Sequence, residues 1–159
     1  MEATARRTTG ERRTPLQTAA LAVGAVFLTV GILGFIPGIT TDYDTLTFAS
    51  ENSDAELLGI FQVNALHNIV HILFGIAGLA GARYIDSSRL FLIGGGLIYA
   101  VLWLYGVIID LDAGANFVSL NTADNWLHFV LALAMLALGL SLSRDVGTAR
   151  HGTAASPRR

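Results

Sequence analysis

The chain has 159 residues, 53% of them hydrophobic and only 14% charged, with ten Arg, no Lys and a formal net charge of −2. Soluble domains carry about 25% charged residues, so this chain lies well below a soluble globular protein, and the length allows a single domain. The absence of cysteine removes disulfides, Cys-ligated zinc, iron–sulfur clusters and thiol catalysis from consideration.

Residues 1–14 are polar and rich in Thr and Arg, and are expected to form a disordered tail carrying Arg6, Arg7, Arg12 and Arg13. Pro15 suits the first turn of a helix, where its missing N–H costs little. A first apolar span is expected over about 16–36, closed by Pro37-Gly38. It is too long for the h-region of a cleaved signal peptide and is read as a retained anchor. The following segment to Glu56 is acidic and too polar to span; its Tyr43, Leu46 and Phe48 suit a membrane interface.

The second span is expected over about 57–82, with outer turns containing Gln62 and Asn64 and a stop at Arg83. A short loop to Arg89 then makes a tight hairpin with a third span over about 90–109. Asp110 and Asp112 open a second outer loop. A fourth span is expected over about 124–143, with Thr122 or Asp124 as its N-cap and Arg144 as its inner anchor. Residues 144–159 are expected to be a second disordered tail, and its His151 is given no role.

This pattern is an all-α polytopic membrane protein with four transmembrane helices in an antiparallel bundle. All ten Arg fall on one side of it, and Asp42, Asp44, Glu51, Asp54, Glu56, Asp110, Asp112 and Asp124 fall on the other. Positive residues in short loops stay in the cytoplasm, so both termini are expected there. The Arg clusters are small and juxtamembrane, which argues against nucleic acid and for the lipid bilayer as partner. Other membrane proteins or further copies of the chain are expected partners as well. Glycines are frequent within the spans, including Gly94-Gly95-Gly96, and small residues let membrane helices approach closely.

Polar residues inside a span face protein rather than lipid. Asn64, His67 and His71 are spaced to share one helical face, with Asn68 beside them. Tyr99 and Trp103 line one face of the third span, and Asn125 and His128 one face of the fourth. Counting outward from the inner Arg stops puts His67 and His128 about 6 Å below the outer boundary, and His71 about 6 Å deeper. His67, His71 and His128 are therefore the candidate cofactor ligands, with Asn64, Asn68, Tyr99, Trp103 and Asn125 as polar support. Three readings remain open. The trio could bind a transition metal, or two of its members a haem. It could serve a proton-linked or solute transporter. Or it could only fix helix register by hydrogen bonds. The sequence favours the last, in a non-enzymatic structural or accessory subunit without a cofactor. No His-Glu-x-x-His, Gly-x-Ser-x-Gly or P-loop occurs, and no carboxylate lies mid-span.

Four stretches carry a family resemblance: Gly34 to Tyr43, Leu58 to Gly75 with its His67-Asn68-x-x-His71, Leu92 to Gly106, and Asn116 to His128 with its Asn121-Thr-Ala-Asp-Asn-Trp-Leu-His128. Together they resemble the DUF4383 family, small bacterial four-helix membrane proteins of unknown function, over about residues 16–143. The resemblance implies a bacterial plasma-membrane protein and four spans, and it implies no activity, substrate or site.

Overall fold

The computed structural model describes residues 13–152. Of the two tails expected to be disordered, residues 1–12 and 153–159 lie outside the described ones, while residues 144–152 are helical. Four helices account for most of the chain: α1 (Pro15–Leu33), α2 (Ala65–Gly81), α3 (Ile85–Ile108) and α4 (Thr122–Gly152). Helices α1, α3 and the Thr122–Leu142 part of α4 are long and apolar enough to cross a membrane. The 17-residue α2 is apolar but shorter.

The helix ends follow local chemistry. Thr14 caps α1 in a capping box with Gln17, and Pro15 takes the first helical position. The Gln17 amide donates to the carbonyls of Ala82 and Arg83, at 3.2 and 3.0 Å. The start of α1 is thereby tied to the short turn between α2 and α3, and Arg13, Arg83 and Arg89 share one end of the molecule. Helix α3 begins at Ile85, earlier than the sequence reading placed it, with the Ser88 hydroxyl donating 2.8 Å to the Tyr84 carbonyl. Helix α4 is capped by Asn121 rather than Thr122 or Asp124. The Asn121 side chain accepts from the Asp124 N–H at 3.0 Å, while Asp124 Oδ2 accepts from the Asn121 N–H at 3.0 Å. At its other end α4 continues to Gly152, past the expected stop near Ser143.

Glycine sets the pairing. The Gly24 backbone lies where an added methyl would meet Leu79 N at 2.8 Å, Gly31 meets Ile72, and Gly75 meets the Leu28 backbone. Contacts that run up α1 as they run down α2 make this pair antiparallel and close. Helices α3 and α4 pair likewise, Gly139 against Leu92 and Ile93, Gly96 against Ala132 and Leu136, and Gly106 against Asn125. Of the triple glycine, Gly95 and Gly96 serve helix contacts, and only Gly94 is open. The buried core has one cluster, near the α2–α3 turn, of Leu16, Ala20, Ala82 and Leu92. A central one is built from Phe27, Tyr99, Ala132 and Met135.

The end opposite Arg13, Arg83 and Arg89 departs most from the sequence reading. The residues expected to begin the second span instead join the segment before it in a small antiparallel sheet: β1 (Thr40–Thr41), β2 (Glu56–Leu57) and β3 (Phe61–Gln62), in that order, with Thr40 opposite Leu57 and Leu57 opposite Phe61. Leu58 and Gly59 both take left-handed backbone, at φ 60° and 65°, which turns the chain sharply between β2 and β3. Asn64 then caps α2, its side chain accepting the His67 N–H at 2.9 Å. Ala55, Leu57 and Val63 form a third buried cluster beneath this sheet.

Candidate functional site

Helix α2 carries His67 and His71 one turn apart, and α4 brings His128 against them. All three are buried, and one ring nitrogen from each lies within 4.8 Å of the others. Ring centroids are 4.6 Å apart for His67–His71 and 6.1 Å for His67–His128. The sequence grouped these residues by helical spacing and depth, and the structure brings them together.

The three rings are not equivalent. His67 Nδ1 lies 3.1 Å from the Val118 carbonyl. A carbonyl can only accept, so Nδ1 carries the proton and Nε2 keeps its lone pair. This is how proteins orient an imidazole that ligates through its other nitrogen. Among the described residues, Nδ1 of His71 and Nδ1 of His128 have no hydrogen-bond partner although both are buried.

Aromatic rings enclose the trio. Tyr99 stands edge-on to His128 at 5.1 Å, Phe27 of α1 stacks on His71 at 5.6 Å, and Phe27 and Tyr99 touch each other at 5.2 Å. Phe74 closes the inner side against both. Phe27 was not singled out from sequence, because an apolar residue in an apolar span carries no distinguishing signal. The Val118 carbonyl escaped for a related reason: a backbone acceptor is identical at every position.

The support residues divide. Tyr99 belongs to the cluster, but Trp103 does not: it packs on Phe129 at 4.9 Å. Asn64 acts from above, where its amide donates 2.8 Å to the Phe117 carbonyl. Asn68 turns toward α1, against Gly34, and its amide has no partner among the described residues. Asn125 donates 2.9 Å to the Gly106 carbonyl and joins α4 to α3.

The α1–α2 and α3–α4 connections cover the trio and are stitched to each other. Besides the Asn64–Phe117 bond, the Ser119 hydroxyl donates to the Ser50 carbonyl, and the Asn121 amide to Ile60 at 2.8 Å. Asp124 Oδ2 accepts from the Gln62 N–H at 3.1 Å. Asn116 organises the second loop from within, bonding the Leu111 and Leu120 carbonyls and the Leu120 N–H, each at 2.8 Å. Ser119, at φ 50°, holds the strained turn that brings Val118 over His67.

Four apolar helices, three of them long enough to cross a membrane, enclose this covered histidine trio, an all-helical arrangement compatible with a membrane protein. The chain belongs to the DUF4383 family, whose sequence model, described as a domain of unknown function, matches residues 17–141. No curated protein and no solved structure matches it.

Proposed function

We propose that this chain is a four-span protein of the bacterial plasma membrane, with both termini in the cytoplasm, that holds one transition-metal ion between His67, His71 and His128 near its outer face. Four crossings make an antiparallel bundle. Transmembrane helices run to about 17–25 residues, so α2 is long enough at the lower limit, and its close packing along α1 gives it the same orientation in the bilayer. The Arg-bearing end then faces the cytoplasm. The role is non-enzymatic: ion binding within the membrane, alone or as an accessory to a larger assembly.

One observation supports this reading over a purely structural one. Asn64 satisfies both of its side-chain polar atoms within the protein, whereas Asn68 and the Asn125 oxygen do not, but each of those stands apart from any other unpartnered ligand atom. Here two buried imidazoles carry Nδ1 atoms with no partner among the described residues, beside a third ring whose tautomer is set. Leaving such groups unsatisfied costs about 1–3 kcal/mol each, and a shared ion offsets that cost. A haem fits less well. Phe27 and Tyr99 lie directly on His71 and His128, and no gap of porphyrin width separates the imidazoles.

The test is elemental analysis and absorption spectroscopy of full-length protein purified gently from membranes. The expected result is one transition-metal ion per chain and no Soret band, with the metal lost in His67→Ala and His128→Ala. A metal content that these changes leave untouched overturns the assignment to the trio. Metal-free protein that takes up none on reconstitution leaves the structural role.

A further inference from the structure

The site's donor set indicates the charge of its ion. Resting on the metal-site reading above, we propose that the trio selects a monovalent, soft d-block cation, copper(I), over zinc and other divalent ions.

The donors are three neutral imidazoles. Among the described residues no carboxylate joins them. Asp124, the nearest acid on α4, sits one turn farther out, about 6 Å along the axis, with Oδ2 bound by the Gln62 and Asn121 N–H groups. There is no cysteine to supply a thiolate. An ion here has no anionic ligand to offset its charge in a buried, low-dielectric setting. The Born cost rises with the square of charge, so a divalent ion costs about four times what a monovalent one does.

Coordination number points the same way. Zinc held by three protein ligands completes its shell with water or hydroxide, and such a ligand needs hydrogen-bond acceptors around it. The walls of this site are mainly the rings of Phe27, Phe74 and Tyr99, and the Val118 carbonyl over it is already engaged by His67 Nδ1, which leaves few acceptors beyond the Tyr99 hydroxyl. Copper(I) is stable with three nitrogens and no water, and imidazole is an accepted ligand for copper. The ring that is already oriented, His67, offers Nε2. His71 and His128 each offer an Nδ1 that has no partner among the described residues.

The experiment uses metal-free full-length protein in detergent, titrated anaerobically with copper(I) against a colorimetric chelator and in parallel with zinc(II), with silver(I) as a redox-inert substitute. The expected result is one copper(I) per chain, held at least about 100-fold more tightly than zinc(II), with silver(I) competing for the same site. X-ray absorption of the copper form should show nitrogen ligands only, at about 2.0 Å. His128→Gln, which keeps most of the side-chain volume, should weaken copper(I) at least about tenfold. Zinc(II) or cobalt(II) bound as tightly as copper(I), with an oxygen ligand in the shell, overturns the monovalent assignment and leaves the site standing. Failure of the wild-type protein to bind any of these ions overturns both.

Discussion

Asn64 does three jobs in a space where none can be delegated to water. Its oxygen caps α2 through the His67 N–H, its amide holds the Phe117 carbonyl, and by fixing both it positions Val118 over the His67 ring. Replacing it with Ala removes the cap and leaves a buried carbonyl without its donor. The expected loss is about 2 kcal/mol, read as a fall in the thermal unfolding temperature in detergent. Asn64→Ser keeps a cap but cannot reach Phe117, so it should recover about half of that loss. Equal behaviour of the two variants would mean that the Phe117 bond contributes nothing. At this scale the sequence was most legible where a residue is out of place in oil. His67, His71 and His128 stood out for that reason, and so did Asn64. Phe27, which touches more of the site than Asn68, Trp103 or Asn125, did not, because nothing about a Phe in a span is unusual.

Among the elements, spans were easier to read than their ends. Hydropathy located all four helices, since lipid and protein core both select apolar side chains. It ran on through Leu57 to Val63 because Leu-Leu-Gly-Ile-Phe-Gln-Val is as apolar as a helix, while strands of two residues have too few positions to show alternation. The true start of α2 is marked by Asn64, and that of α4 by Asn121 with Asp124 three residues on, a cap pattern shifted by one from the expected Thr122. Asp124 also fastens the β2–β3 hairpin to α4 through the Gln62 N–H. Asp124→Ala should therefore release the hairpin without unfolding the helices. Hydrogen exchange at residues 56–62 should speed up by about tenfold or more, the loss of a bond worth about 1.5–3 kcal/mol, while the centres of α1 and α3 stay unchanged. Acceleration spread evenly over the chain would show that Asp124 supports the whole fold rather than this junction.

For the whole molecule, charge divides what packing alone leaves symmetrical. Arg13, Arg83 and Arg89 lie at the end where Gln17 grips the α2–α3 turn, and the carboxylates of Asp42, Asp44, Asp110 and Asp112 lie at the other, around the cover of the histidine trio. Transferring Arg across a bilayer costs far more than retaining it, so the Arg-bearing end is expected inside and the covered site outside. The cysteine-free chain makes this directly measurable. Asp44→Cys, Asp112→Cys and Asp86→Cys each place a single thiol at an exposed position. A membrane-impermeant maleimide added to intact cells should label the first two and reach Asp86→Cys only after the membrane is broken. The three positions separate the ways the topology can fail. Labelling of Asp86→Cys alone reverses the orientation but preserves four crossings, and it would put the site's cover, and its source of ions, in the cytoplasm. Labelling of Asp44→Cys together with Asp86→Cys means that α2 does not cross, which would leave α1 and α2 unable to pack side by side through Gly24, Gly31 and Gly75. The glycine contacts thus make α2 the element on which the four-crossing arrangement depends, although it is the shortest of the four.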